Sequence, residues 1–247
     1  MIALRRHSAR DYAEFPDIDA PNVGTLGKGD QACLGEIGHC LLQAHAQARF
    51  GAALLHSHFP IESGETFVED LHADAELITL RPARDAPSGL FATSVRFDDA
   101  NPSSGEFRLV GLEFASEQVL AGVFPINDLD RDTLTSVGRI LRDYGKTKRF
   151  GIRLLHDPLK LNGRVLLESC DSFNRILTCR STAEDDPSFV QSIATVFRWE
   201  EAWAEKEDGL VVGQECMQFC KSIQRCERRA SGSHRGSSSH DSTHREI

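Results

Sequence analysis

The sequence predicts an α+β fold built as a tandem internal repeat, in which each unit is one helix packed on about five antiparallel strands and the two units are related by a pseudo-twofold axis. Three observations support this fold class. The segment RFGAALLH at residues 49–56 returns as RFGIRLLH at residues 149–156, with six of eight letters identical. An amphipathic helical pattern precedes each copy, and strand-like segments follow each copy. Such recurrence indicates duplication.

Further identities keep the same order along the chain, at offsets of 99 to 102 residues. They pair Leu34 with Leu134, Glu69 with Glu168, Arg81 with Arg180, Arg96 with Arg198, and Glu113 with Glu215. Small insertions fall between the matched blocks, where loops are expected. The resulting organisation is an extended N-terminal arm at 1–29, repeat unit 1 at 30–127, repeat unit 2 at 128–227 and a disordered tail at 228–247.

Both ends of the chain lack the pattern of a buried element. The arm contains Pro16, Pro21 and three glycines and shows no sustained periodicity. The tail is rich in Ser, Gly and His. Segments that bury little apolar surface cannot offset the entropy of ordering, so we expect both ends to be mobile.

One amphipathic helix opens each unit. Asp30 is suited to cap a helix that runs to about Ala48, and Asp132 is suited to cap the second helix. Apolar residues recur at three- and four-residue spacing in both segments and form one buried stripe on each helix. The stripes consist of Leu34, Ile37, Leu41 and Leu42, and of Leu134, Val137, Ile140 and Leu141.

The RFG segments are predicted to be strands, and alternation assigns the residues to faces. Phe50, Leu54 and His56 share one face, which we expect to be the core face, as does His156 in the second copy. Asn162-Gly163 then predicts a two-residue hairpin. The remaining strands are expected near 66–71, 76–82, 90–97, 106–115, 164–170, 174–180, 190–199 and 209–216.

Composition narrows the class of protein. The chain has 247 residues, a net charge of −9 and a pI near 5.6, which argues against a nucleic-acid surface because that surface needs clustered Lys and Arg. No apolar run is long enough to span a bilayer, and the first 20 residues lack a signal-peptide core. We therefore expect a soluble, cytoplasmic protein whose seven cysteines are reduced.

The first RFG block also carries Leu54-Leu55-His56 and His58-Phe59. In this pattern, RFGxxLLHxHF, the chain resembles a family of uncharacterised fungal proteins. The resemblance covers residues 30–82 and implies a fungal, intracellular setting, but it implies no activity.

The same block holds the strongest candidate for chemistry. His56 and His58 are two residues apart on a strand, a spacing by which two imidazoles can face one metal ion. A hairpin register with a three-residue loop places Asp70 across from His56, with His72 on the same face. Two histidines and one carboxylate suit a divalent metal, zinc or non-haem iron. The second copy has Pro158 and Ser169 at these places and no metal is expected there.

Glu69, Arg81 and His72 are the candidate substrate-binding residues. The alternative for the histidines is a structural role with a backbone or hydroxyl partner, and the alternative for Glu69 and Arg81 is cross-strand ion pairing. The stretch HSHFPIE also fits the first half of a cupin metal motif through Glu62. A separate set at the C-terminal end, Cys216, Cys220 and Cys226 with three tail histidines, lacks the spacing of a paired zinc motif.

Two functions remain open at this point. In the first, the protein binds or transforms a small molecule in a pocket between the helix and sheet of unit 1, with metal assistance as one option. In the second, it is a non-catalytic pseudo-dimer that binds another protein. The sequence does not decide whether the protein is an enzyme.

Overall fold

The fold is described from a computed structural model over residues 4–98, 107–183, 186, 192–206 and 209–221. Of residues 201–206, 209–216 and 221, only the backbone is described. The strands are β1 Leu4–Arg6, β2 Phe50–Leu54, β3 Thr66–His72, β4 Leu77–Ala83, β5 Phe91–Asp98, β6 Arg108–Ala115, β7 Phe150–Leu154, β8 Val165–Asp171, β9 Ile176–Thr182, β10 Ser192–Lys206 and β11 Gly209–Lys221. The helices are α1 Ala9–Ala13, α2 Lys28–Gln43, α3 Glu117–Leu120 and α4 Arg131–Asp143, with 3₁₀ turns at Ala73–Ala75 and Asp128–Asp130.

Ten of these strands close into one β-barrel. Their order around the barrel is β6-β3-β4-β9-β8-β11-β10-β2-β7-β5, and β5 pairs back with β6. The short strand β1 adds to β6 in parallel. Most neighbours are antiparallel, while β3 with β6 and β8 with β11 are parallel.

The predicted α+β class, with one helix packed on about five strands in each unit, is therefore wrong. Strands from the two parts of the chain pair with one another: β2 pairs with β7, placing Ala52 opposite Ile152, and β4 pairs with β9, placing Thr79 opposite Thr178. Sequence alternation shows which side of a strand is buried, but it does not show which strand lies beside it. The result is one barrel built from both parts.

The prediction that Asn162-Gly163 joins two paired strands is also wrong. Both residues have positive φ, 49° and 86°, as a type I′ turn requires. However, the strands on either side do not pair: β7 pairs with β2 and β5, and β8 pairs with β9 and β11. The hairpin register that placed Asp70 opposite His56 fails for the same reason, because β3 pairs with β4 and β6.

Two helices cover one side of the barrel. Helix α2 contacts α4, β2, β10 and β11. A large apolar cluster fills this layer, and it includes Leu34, Ile37 and Leu41 of α2, Leu134, Val137 and Leu141 of α4, and Phe50, Leu54, Phe150, Ile152 and Leu154 of the central strands. A second cluster includes Tyr12, Phe15, Leu55, Phe59, Phe67, Leu80, Leu112 and Leu177.

The N-terminal segment packs against the barrel. Tyr12, Phe15 and Ile18 are buried. The backbone N–H of Ser57 donates to Pro16, and the N–H of Ile18 donates to Ser57, both at 2.9 Å. This packing is at odds with the expected mobility of the arm, because aromatic residues placed between prolines and polar residues give no periodic signal in the sequence. The tail at 228–247 lies outside the described residues.

Candidate metal centre

Four side chains from three places in the chain converge on one point. His56 and His58 follow β2, Glu168 lies on β8 and Cys220 lies on β11. One ligand atom from each residue lies within 4.8 Å of all the others. Glu168 is 3% exposed and Cys220 is 0% exposed; His58 is also buried and His56 is partly buried. These residues form a group that could hold a metal ion.

The barrel brings the carboxylate and the thiol together through strand pairing. The parallel pair β8 and β11 sets Glu168 directly opposite Cys220. The histidines lie beyond the end of β2, which stops at Leu54, so strand alternation does not determine where they point. His56 Nδ1 lies 2.8 Å from the carbonyl oxygen of Leu54. A carbonyl only accepts, so Nδ1 carries a proton and Nε2 is the ring nitrogen that faces the cluster.

The separations of the ligand atoms lie on both sides of those in a tetrahedral metal site. His56 Nε2 lies 2.9 Å from His58 Nε2, and Glu168 Oε1 lies 2.7 Å from His58 Nε2 and 3.8 Å from His56 Nε2. Cys220 Sγ lies 4.0 Å from the ring nitrogens of His58. Tetrahedral coordination at about 2.0–2.3 Å implies ligand atoms roughly 3.3–3.8 Å apart. Adjustments of less than about 1 Å would bring the four atoms to that spacing.

Glu168 presents one satisfied and one unsatisfied oxygen. Oε2 accepts a hydrogen bond of 2.8 Å from Gln218 Nε2, whereas Oε1 is buried and has no hydrogen-bond partner, since the approach of His58 does not have hydrogen-bond geometry. Burial alone would raise the pKa of Glu168, but the neighbouring His58 and His56 hold it well below its usual range. Oε1 therefore faces the cluster beside the imidazoles of His58 and His56, at 2.7 and 3.8 Å, without a partner in hydrogen-bond geometry.

The thiol of Cys220 is protonated in this environment. Burial raises its pKa, and the Glu168 carboxylate raises it further. Coordination to a metal deprotonates a thiol, so metal binding here would release a proton.

A related but closed arrangement surrounds Glu69 in the other part of the barrel. Arg153 Nη2 donates to Glu69 Oε1 at 3.0 Å, and His156 Nε2 lies 2.8 Å from Oε2. Thr93 also donates to Oε1, and Arg153 donates to Glu113. Burial would raise the pKa of Glu69, but Arg153 and His156 lower it to about 2. Both oxygens of this buried carboxylate have protein partners.

The predicted site residues are distributed between the cluster and other places. His56 and His58 belong to the cluster. Asp70 does not: its carboxylate pairs with Arg81 at 3.0 Å, and both side chains are exposed. His72 is exposed and contacts Thr79. Glu69 is buried in the Arg153 arrangement and is not exposed to a substrate.

Glu62 of the cupin-like pattern is exposed and pairs with Arg84, so it lies outside the cluster. Sequence reasoning missed Glu168 and Cys220 as members of the cluster. The only signal for Glu168 was its identity with Glu69 in the repeat. Cys220 was grouped with Cys226 and the tail, which lie outside the described residues.

A small cavity of about 30 Å³ adjoins the cluster. At roughly 10–15 Å³ for each water, it has room for about two water molecules. Its walls include His56, His58, Glu168 and Gln218 on one side and Glu113 and Arg153 on the other, so the cavity lies between the cluster and the Glu69 arrangement.

The comparisons with known protein families, curated proteins and solved structures find no match for this chain. Within the described parts of the chain, no helix is long and apolar enough to cross a membrane.

Proposed function

We propose that this protein binds a divalent metal ion inside its barrel and uses it to bind or transform a small molecule. The observation that carries the proposal is the convergence of His56, His58, Glu168 and Cys220 within 4.8 Å, together with the unpartnered Oε1 of Glu168. A buried carboxylate needs a cation or a donor beside it, and Oε1 has only the imidazoles of His58 and His56 there, neither in hydrogen-bond geometry.

The donor set favours zinc among common metals. Two imidazoles, one carboxylate and one thiol are nitrogen, oxygen and sulfur ligands of the kind that zinc accepts in tetrahedral sites. Ferrous iron accepts the two histidines and the carboxylate, but a thiol shifts the preference toward softer ions. Magnesium and calcium prefer oxygen ligands and do not fit this set.

A role for a small molecule is supported by the position of the cavity. Four protein ligands complete a tetrahedral zinc site, so a small molecule would bind the metal as a fifth ligand or by displacing one protein ligand, and either needs space beside the metal. Here the cavity shares three walls, His56, His58 and Glu168, with the cluster. A ligand bound to the metal can therefore occupy this space.

The test is the metal content of the purified full chain, measured by elemental analysis after exhaustive dialysis against zinc-buffered solution. We expect close to one zinc per chain, and a loss of zinc in His58→Ala and in Glu168→Gln. The matched control is Glu69→Gln, because Glu69 is the equally buried glutamate of the other arrangement and has only protein partners.

We expect Glu69→Gln to keep its zinc, although removal of a carboxylate from Arg153 will cost stability. Circular dichroism and gel filtration identify the folded fraction of each variant. Equal metal content in wild type, Glu168→Gln and Glu69→Gln would contradict the proposal. A folded wild type without bound zinc or iron would leave the protein-interaction alternative in front.

A further inference from the structure

Two strand pairs of the barrel, β5 with β6 and β10 with β11, have the same register and the same irregularity. The pairing shifts on both sides of Ser94 in the first pair and on both sides of Val196 in the second. The partners are Ser94–Glu113, Val95–Gly111, Arg96–Val110, Phe97–Leu109 and Asp98–Arg108 in the first pair, and Val196–Gln218, Phe197–Cys216, Arg198–Glu215, Trp199–Gln214 and Glu200–Gly213 in the second. The next strand is equivalent too, because β3 lies parallel to β6 from Glu113 onward and β8 lies parallel to β11 from Gln218 onward. Each residue of one pair therefore has a defined counterpart in the other.

In the first pair, the N-terminal strand β1 covers the edge of β6 that lies ahead of β3. The parallel register sets Leu4, Arg5 and Arg6 opposite Leu109, Val110 and Gly111. The backbone N–H of His7 donates to the carbonyl oxygen of Gly111 at 3.0 Å. Because backbone groups alternate between the two sides of a strand, the N–H of Arg5 also faces β6, and the N–H of Arg6 faces away.

The counterpart edge of β11 is open in the described part of the chain. There, β11 pairs with β10 along its length and with β8 at residues 218–220. The residues equivalent to those that β1 covers are 214–216, and no described strand lies beside them on the side away from β10. An open strand edge presents N–H and C=O groups to which a further strand can bind.

The surface next to this edge is also less covered than its counterpart. The N-terminal segment contacts Arg96, Leu112 and Phe114, which are 8%, 3% and 4% exposed. Their counterparts, Arg198, Met217 and Phe219, are all partly exposed. The second pair of strands therefore shows the surface that the first pair shows only after its N-terminal segment is taken away.

The N-terminal segment places one cation and one carboxylate against two charged residues of β5. Arg5 lies 3.5 Å from Asp98 and 2.7 Å from Asp11. Asp11 in turn pairs with Arg96. The added strand is therefore matched to β5 by charge as well as to β6 by its backbone.

The counterparts on β10 have the same charges. Arg198 and Glu200 lie 3.5 Å from each other, and 57% of the Glu200 side chain is exposed. From this point the sequence EEAWAEKED, at residues 200–208, contains five carboxylates and one lysine. An acidic surface attracts a basic segment and disfavours an acidic one.

We propose that the edge of β11 at residues 214–216 binds an extended basic segment of a partner protein as an added parallel strand. This segment has an arginine or lysine opposite Glu215, which pairs with Glu200, and an acidic residue six positions later, which pairs with Arg198. In strand addition of this kind, main-chain hydrogen bonds provide the affinity and the flanking side chains provide the specificity. The inference is independent of the metal centre.

The probe is a fluorescein-labelled peptide of this chain's residues 1–12, MIALRRHSARDY, because it contains the strand that fits the equivalent edge. In the full-length protein the edge of β6 is already covered, so the added peptide is directed to β11. Fluorescence anisotropy measures its affinity, and we expect saturable binding that weakens with added salt. N-methylation of Arg5 removes an N–H that faces the protein and should abolish binding, whereas N-methylation of Arg6 should be tolerated.

Variants of the protein test the position of the peptide. Glu200→Gln should weaken binding, and Glu200→Lys should weaken it further, by roughly three- to tenfold, because it sets like charges beside each other. A peptide with Arg5→Glu should regain affinity for Glu200→Lys. Asp98→Asn is the matched control for Glu200→Gln, since Asp98 is the counterpart on the covered edge, and it should bind the peptide as the wild type does.

Three results would overturn the proposal. An absence of saturable binding, or equal binding of the two N-methylated peptides, would rule out strand addition. Binding that is unchanged in Glu200→Lys would show that the peptide has displaced the chain's own N-terminal segment instead of binding β11. A dimer of the full-length protein in analytical ultracentrifugation that Glu200→Lys dissociates would make a second copy of this chain the occupant in place of a partner protein.

Discussion

Glu168 and Cys220 lie directly opposite each other on the parallel strands β8 and β11. On the other side of Glu168, the antiparallel strand β9 places Cys179 opposite the same residue. The buried carboxylate is therefore flanked by two thiols. The equivalent glutamate, Glu69, is flanked by Leu80 and Ala115. Both thiols lie beside Glu168, whereas the guanidinium of Arg153 lies beside Glu69.

The first prediction separates the two thiols. Cys220→Ser should weaken zinc binding by more than the roughly 10–100-fold that the loss of an outer hydrogen-bond partner costs, because it replaces a direct ligand. Cys179→Ser should have a smaller effect, since Cys179 Sγ lies 3.8 Å from Glu168 Oε2, the oxygen bonded to Gln218. Competition with a chromophoric zinc chelator measures both affinities. Equal affinities in the two variants would remove Cys220 from the ligand set.

The second prediction concerns the cation of the closed arrangement. Arg153→Ala leaves the carboxylates of Glu69 and Glu113 without their guanidinium, and the Glu69 side chain is 0% exposed. Removing one partner of a buried ion pair costs about 3–5 kcal/mol. Arg81→Ala is the control, because its pair with Asp70 is exposed and is worth roughly 0–1 kcal/mol. Chemical denaturation measures both changes, and a similar small loss in both variants would show that Glu69 is not held by Arg153.

The strands were predictable, whereas their partners were not. Local alternation and turn residues placed β3, β4, β5 and β6 within two residues of their positions in the structure. Strand pairing in the barrel is non-local, and no local pattern records that β4 lies beside β9. For this reason a set of strands that lacked only β1 and ended β10 and β11 early still led to the wrong fold class and to the wrong register for Asp70.

The sequence did not predict Glu168 and Cys220 as part of the cluster, for a related reason. Matching identical letters paired Glu113 with Glu215, whereas the barrel register makes Gln218 the equivalent of Glu113. The equivalent residues differ where the two sites differ, so a search for identities cannot find them. His56 and His58 were found because their spacing is local. Glu168 and Cys220 reach them only through strand pairing.

The third prediction is a pH dependence that arises from Asp11. Hydrogen bonds from Arg5, at 2.7 and 2.9 Å, hold the pKa of Asp11 well below its usual range despite its burial, and Ser8 and Arg96 lower it further. Because the pKa is lower in the folded chain than in the unfolded chain, this stabilisation is fully present above about pH 4 and is lost as the pH falls toward the folded-state pKa.

Asp11→Asn should therefore lose roughly 1.5–3 kcal/mol of stability at neutral pH, the usual worth of hydrogen bonds to a charged group. Its difference from the wild type should shrink as the pH is lowered below about 4. Denaturation curves across this range measure the difference. Asp70→Asn serves as the control, since Asp70 is exposed. A constant difference between Asp11→Asn and the wild type at every pH would show that the carboxylate charge is not the cause.

The last prediction tests whether the N-terminal segment is part of the folded barrel. Phe15 is 8% exposed, and its ring stacks edge-on against Tyr12 at a centroid distance of 5.6 Å. Its carbonyl oxygen accepts a hydrogen bond from Ser57, the residue between the two histidines of the cluster. Truncating a buried phenylalanine costs about 3–5 kcal/mol, so Phe15→Ala should lower the free energy of unfolding by that amount.

Phe124→Ala is the matched control, because Phe124 is 77% exposed and its loss should change stability by no more than about 0.5 kcal/mol. Limited proteolysis adds an independent measurement: the wild type should resist cleavage between Tyr12 and Ile18, and Phe15→Ala should be cut there. Since Phe15 also forms part of the cavity wall beside His56 and His58, its loss should open the cavity to solvent and speed the removal of zinc by a chelator. Rapid cleavage of the wild type in this segment, with no change in stability for Phe15→Ala, would show that the arm is mobile after all.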